Sequence, residues 1–192
     1  MGNNSSSRDF GGRASFQRIG ILASCIVVTL YLSGCTAPFT SFTDESTTAH
    51  VVRMNGDRLA GGISSIQLNA QRFEKEGKVS YSLFIIYSGP TFLNIGPGKS
   101  LVLIIDGQRN EIFGGGSIQH RNVLSIGLVE ETAYYHDLDP ELFYRIARAK
   151  KVDVEIHGSS GVVTRYFKKK NFTKFKVFCD LYMDKAIPMP NP

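Results

Sequence analysis

The sequence predicts a mainly β chain of α+β type: an antiparallel β-sandwich or curled sheet with two short helices near the C-terminus. Three observations predict it. Apolar and polar residues alternate with a period of two through 66–70 and 152–156, the spacing of a half-buried strand. Turn signals such as Asn55-Gly56, Asp106-Gly107 and Gly158-Ser159-Ser160-Gly161 separate those runs. Helical spacing of apolar residues begins only at Leu138 and again at Phe172.

Taken in order, Val51–Met54 reads as a short strand that ends at Asn55-Gly56. Ile63 to Phe73 is a longer one, with Ile66, Leu68 and Ala70 on one face and Gln67, Asn69 and Gln71 on the other. Glu76-Gly77-Lys78 turns the chain into Val79–Tyr87, whose Tyr81, Leu83, Ile85 and Tyr87 share a face, so the pair forms a hairpin. Leu101–Ile105 is the most apolar run of the domain and predicts a central strand. Asp106-Gly107 is a tight hairpin signal, after which Gln108–Phe113 pairs back. Gly114-Gly115-Gly116-Ser117 breaks the chain, and Val123–Tyr135 holds one or two further strands.

The pattern changes at Leu138-Asp139-Pro140-Glu141. Asp139 suits an N-cap, Pro140 the first helical position and Glu141 the first turn, with Leu138 and Phe143 at the staple positions. Leu142, Phe143, Ile146 and Ala149 make the apolar stripe, and Arg145, Arg148, Lys150 and Lys151 favour the negative end of the helix dipole. Val152, Val154 and Ile156 then alternate with Asp153, Glu155 and His157. After the Gly158–Gly161 turn and Val162–Phe167, a second helix carries Phe172, Phe175, Cys179 and Tyr182 to near Asp184, with Asn171 or Thr173 as its cap. About seven to nine strands of ordinary length are expected, closed by a helix–strand–strand–helix unit.

Ahead of this domain the sequence is of another kind. Residues 1–18 carry Arg8, Arg13 and Arg18 against the single acid Asp9, and fourteen mostly apolar residues follow, Ile19–Leu32. A basic segment before an apolar stretch of about 7–15 residues is the pattern of a secretory signal. Fourteen residues interrupted by Gly20, Ser24 and Thr29 fall short of the roughly 20 that a spanning helix needs. Met1-Gly2-Asn3-Asn4-Ser5-Ser6 also fits the N-myristoylation pattern, which leaves the apolar run unexplained. Leu32-Ser33-Gly34-Cys35 closes the run and resembles the lipobox of bacterial lipoproteins: a leucine three before the cysteine, then two small residues.

That resemblance covers the first 36 residues alone, and no family is recognised for the domain. It implies cleavage between Gly34 and Cys35, a diacylglyceryl thioether on Cys35 and an acylated amine. Several acyl chains at roughly 0.8 kcal/mol per buried methylene would hold the domain persistently on a membrane. Thr36 stands where an aspartate would retain an enteric lipoprotein in the inner membrane, so the resemblance implies the outer membrane, facing the periplasm. The organisation expected is a signal peptide over 1–34, a lipid-anchored flexible tether over 35–48, one β-rich domain over 49–186 and a disordered tail over 187–192.

Charge and cysteine content narrow the function. Removing three arginines and one aspartate with the leader leaves 19 basic against 16 acidic residues, a net of +3, which is no nucleic-acid footprint. Cys25 leaves with the leader and Cys35 takes the lipid, so Cys179 stands alone and no internal disulfide can form. Its apolar neighbours Phe178, Leu181 and Tyr182 predict a buried inert thiol.

Four features remain as candidate sites. His136, Asp137 and Asp139 put an imidazole beside two carboxylates, but Asp139 has a capping role and a metal or acid–base centre needs a further convergent ligand. Gly114–Ser117 lacks the lysine of a phosphate loop and reads as a flexible loop able to serve a binding rim. His50, His120, His136 and His157 show no metal spacing, and no serine sits in a nucleophile elbow. Arg165, Lys168, Lys169, Lys170, Lys174 and Lys176, interleaved with Tyr166, Phe167, Phe172 and Phe175, are either an anion-binding face or the solvated side of a helix with a packed aromatic stripe. The aromatic spacing favours the second. No catalytic residue, metal or cofactor is assigned. The expectation is a membrane-anchored envelope lipoprotein that binds a protein, glycan or anionic lipid, with an envelope hydrolase assembled from distant residues as the alternative.

Overall fold

The computed structural model describes residues 38–124 and 127–183. The signal peptide, the Leu32–Cys35 box, the first tether residues and the tail at 187–192 lie outside the described residues. Ten strands and two helices are described: β1 (Phe39–Thr43), β2 (His50–Met54), β3 (Ser65–Lys75), β4 (Lys78–Gly89), β5 (Gly98–Ile105), β6 (Gln108–Gly114), β7 (Arg121–Val123), β8 (Val129–Tyr135), α1 (Pro140–Arg148), β9 (Val152–Gly158), β10 (Gly161–Tyr166) and α2 (Lys169–Tyr182). They form a curled, half-barrel sheet in the order β1-β2-β3-β4-β8-β7 and a second sheet in the order β10-β9-β5-β6. Every pairing is antiparallel. The fold is therefore mainly β with two C-terminal helices, as the alternation predicts.

Register follows side-chain chemistry. β3 and β4 pair without a slip from Ser65↔Ser88 to Lys75↔Lys78, which sets Leu68 opposite Ile85 and Ala70 opposite Leu83 on the buried face. A slip by one residue would turn that whole row to the other face. The β5–β6 hairpin turns on Asp106 and Gly107, both at positive φ (46° and 87°), the geometry that a two-residue hairpin of matching twist requires. β5 lies inside its sheet between β6 and β9, and Leu101 and Leu103 are fully buried there.

One core serves both sheets and both helices. Ile66, Leu83 and Ile85 meet Leu101, Leu103, Val154 and Ile156, together with Phe143 and Ile146 from α1 and Phe175, Phe178 and Cys179 from α2. Helix α1 starts as expected: the Asp139 carboxylate accepts the Glu141 N–H at 2.9 Å, and Pro140 occupies the first turn. Phe143 and Ile146 are fully buried, each contributing roughly 1.5–3 kcal/mol of apolar burial. Among the described residues no helix is long and apolar enough to cross a membrane.

Three expectations change. The stretch read as tether enters the sheet early, because β1 pairs with β2 from Phe39↔Met54 to Thr43↔His50. Phe39 packs against Tyr182 and Phe178, at centroid distances of 5.1 and 6.3 Å, so this aromatic residue belongs to the domain. Its short, Thr/Ser-rich sequence carries little alternation, which hid an edge strand held by one neighbour. Ten strands rather than seven to nine result, β1 and β7 being the short edges. Helix α2 begins at Lys169, so Asn171 sits inside its first turn; the Asn171 side chain still caps, accepting the Lys168 N–H at 2.8 Å.

Candidate functional site

The alternation of β8 places Glu131 on the same face as Val129, Ala133 and Tyr135, and its side chain is fully buried. A carboxylate so placed must find donors. Its oxygens accept the N–H groups of Asn94 at 2.9 Å and Ile95 at 3.1 Å, together with the Ser117 hydroxyl. The Arg121 guanidinium stands farther off, at 3.9 Å. Burial alone would push the Glu131 carboxyl up; the Ser117 hydroxyl and the Asn94, Ile95 and Leu93 N–H groups outweigh it and hold the carboxyl below its ordinary value. One side chain thus pins two loops, 92–95 and 114–118, to β8.

The glycine run is accordingly not free. Ser117 is fully buried and its N–H is donated to the Ile95 carbonyl at 2.9 Å. Gly114 lies against the Tyr135 ring, where a Cβ would come within 2.6 Å, and Gly116 takes a φ of +81° beside the Ile95 carbonyl. These glycines allow close approach of two backbones, which is a packing role rather than pure flexibility.

The pinned rim borders an aromatic edge on the other face of β8. Tyr134 stacks on Phe84 across the strand pair at 5.6 Å, His136 lies nearly parallel to Tyr134 at 5.9 Å, and His120 meets Tyr134 edge-on at 5.2 Å. Two solvent-open depressions flank His136. One, of about 430 Å³, lies towards α1 and includes Phe113, Asp137, Asp139, Glu141 and Arg145. The other, of about 250 Å³, lies towards the glycine run and includes Gly115, Gly116, Ile118 and His120. Phe113 and Ile118, 64% and 77% exposed, place apolar surface on either side of the imidazole. The chemistry on offer is stacking, hydrogen bonding by imidazole and phenol, and apolar contact. Asp137, at φ +53°, turns the chain from β8 into the cap, and Asp139 is engaged as that cap. Among the described residues no group of three or more His, Cys, Asp or Glu side chains is placed to hold a metal ion.

The basic run divides. Arg165 is 7% exposed and hydrogen-bonds the Thr164 carbonyl and both the carbonyl and hydroxyl of Ser64. Lys170 and Lys174 reach Asp57 at 3.1 and 3.2 Å, and Lys174 also donates to the Asn55 carbonyl at 2.6 Å. Burial would raise the Asp57 carboxyl, but those two lysines hold it below its ordinary value. Asp57 thereby offsets Lys170, which sits in the first turn at the positive end of the α2 dipole. Lys168, Lys169 and Lys176 are exposed. The aromatics behind them pack inward: Phe167 meets Phe172 at 5.1 Å and Phe175 at 5.4 Å.

Of the remaining candidates, Cys35 lies outside the described residues. Cys179 is buried, and burial with the nearby Asp180 charge pushes its thiol up to about 12. His50 bonds Ser41, and His157 pairs with Glu155 on the opposite sheet. The Glu131 cage and the Tyr134 stack were not among the sequence candidates. An acid on the apolar face of an alternating strand was the signal for the first; the second depends on cross-strand neighbours. No protein-family model matches this chain, and no curated protein does.

Proposed function

We propose that this chain is a bacterial envelope lipoprotein, lipid-anchored through Cys35 to the outer membrane and facing the periplasm, whose β-rich domain binds a partner at the Tyr134–His136 edge. The anchor rests on the basic leader, the short apolar run and the Leu32-Ser33-Gly34-Cys35 box. One observation carries the binding reading: exposed Phe113 and Ile118 flank a stacked Tyr134–His136 pair beside a loop held in place by Glu131. Preorganised aromatic surface with a few directed polar groups suits recognition of a protein or glycan, since little ordering is lost on binding.

The test has two arms. Mass spectrometry of the purified protein should give an N-terminal Cys35 bearing acyl chains, and Cys35→Ser should block cleavage at Gly34. Processing of that variant at the same bond, with retention in the membrane fraction, removes the anchor. Photo-crosslinking residues at 113 and 118 should capture one common species in cells, while a probe at Lys78, at the start of β4, should not. Equal capture from all three positions removes the binding edge.

A second reading, an envelope hydrolase, has the depression joining His136, Asp137 and Glu141 behind it. It requires turnover of an ester, amide or glycoside that disappears in His136→Gln. Binding without turnover decides against it.

A further inference from the structure

We infer that the corner of the domain around Ile63, Tyr166 and the first turn of α2 lies against an anionic phospholipid surface, with Ile63 inserted among the headgroups; this rests on the lipid-anchor reading. The anchor sets the geometry. Cys35 stands three positions before Pro38, so an acylated Cys35 stays within roughly 11 Å of it at the limit of an extended chain. Pro38 is itself fixed to the domain, its carbonyl accepting the Asn55 N–H at 2.9 Å.

From Asn55 the surface is continuous. The Asn55 carbonyl accepts Lys174, Asp57 pairs with Lys170 and Lys174, and the Asp57 carbonyl accepts the Asn171 side chain. Ala60 and Tyr166 exchange backbone hydrogen bonds at 2.8 and 3.1 Å. Pro38 and this corner therefore lie at the two ends of one segment, 55–60, and a multi-chain anchor with so short a lead keeps that segment within reach of the bilayer.

The corner carries the chemistry of an interface. Ile63 is fully exposed at the tip of the 61–64 loop. That loop is held in place: Gly61 and Gly62 take φ of +100° and +70°, and the buried Arg165 guanidinium binds Ser64 through two hydrogen bonds from beneath. A rigid loop that presents a branched aliphatic side chain to water contributes nothing to the core; in the acyl boundary the same side chain recovers its burial. Tyr166, half-exposed beside it, suits the headgroup layer. Arg58, Lys168 and Lys169, exposed within three residues of the paired Ala60 and Tyr166, complement anionic headgroups.

The chain contains no tryptophan, so Ile63→Trp in the full-length lipidated protein is a single emitter, at a site whose side chain makes no packing contact to lose. Reconstituted in vesicles of phosphatidylethanolamine and phosphatidylglycerol with brominated acyl chains, I63W should emit to the blue and be strongly quenched. Phe113→Trp, at the binding edge, should remain unquenched. Adding K168E and K169E to I63W should reduce its quenching severalfold, as should raising the salt or replacing phosphatidylglycerol by phosphatidylcholine. Quenching of I63W no greater than that of F113W overturns the inference, and quenching indifferent to charge and salt overturns its electrostatic part. The acyl mass on Cys35 in the same preparation separates the two failures. With acyl chains present and I63W unquenched, the anchor stands and the docked corner falls; with Cys35 unmodified, both fall.

Discussion

Replacing Glu131 by alanine should be among the most damaging single changes in the domain, although the residue lies in neither helix nor hairpin turn. The carboxylate serves three donors, and they are not equivalent. Ser117 keeps the Ile95 carbonyl as a second acceptor at 3.3 Å, whereas the Asn94 and Ile95 N–H groups lose their acceptor on the carboxylate. Each buried donor left unpaired costs about 1–3 kcal/mol. With the vacated side-chain volume, Glu131→Ala should cost about 3–5 kcal/mol, the range for removing one member of a buried charged network. For a domain of this size that lowers the melting temperature by roughly 10 °C. Glu131→Gln keeps the shape and one acceptor oxygen but aims an NH₂ group at donors, and should cost about half as much.

The pH dependence gives an independent check. The Glu131 carboxyl is held below its ordinary 4.5 in the folded protein, so its contribution is complete above that value and is lost as pH falls through the lower folded value. The stability difference between the unaltered protein and E131Q should therefore narrow as pH drops below about 4.5. Urea titrations at pH 7 and along an acid series supply both quantities through the midpoint at constant m. A loss under about 1 kcal/mol in E131A, or a gap that widens with acid, refutes the cage as the element that secures the 92–95 and 114–118 loops.

Other changes test separate parts of the fold. Asp139→Ala removes the α1 cap and should cost about 1 kcal/mol by thermal melting, with Asp139→Asn restoring most of it. Gly158→Ala would drive a Cβ into the Leu93 carbonyl, a backbone group that cannot rotate aside, so a loss of about 2 kcal/mol or more is expected from urea unfolding. Cys179 in the folded domain should resist a thiol-directed reagent at pH 8 and react only on unfolding, because burial pushes its thiol up to about 12; rapid labelling of native protein would show that the α2 face opens.

Much of the fold was legible in the sequence because local chemistry and tertiary demand agree. The alternation of Leu68, Ala70, Leu83 and Ile85 gives the β3–β4 face, Asp106-Gly107 gives the hairpin, and Asp139-Pro140 gives the start of α1. Each depends on neighbours within a few residues. The edge strand β1 was not legible, since Phe39 finds its partners 139 and 143 positions away, at Phe178 and Tyr182.

The same division governs the sites. A basic run looks uniform along the chain, yet folding buries Arg165 under the 61–64 loop and gives Lys170 and Lys174 to Asp57, leaving Lys168, Lys169 and Lys176 at the surface. Glu131 and Tyr134 acquire their roles from loops and strands distant in sequence. By itself the sequence determined the class of fold, the positions of its main turns and the start of α1, because those are set by backbone preference and side-chain period. Tertiary structure alone decided which charges are paired and which loops are held, because desolvation and hydrogen-bond geometry exist only once distant segments meet.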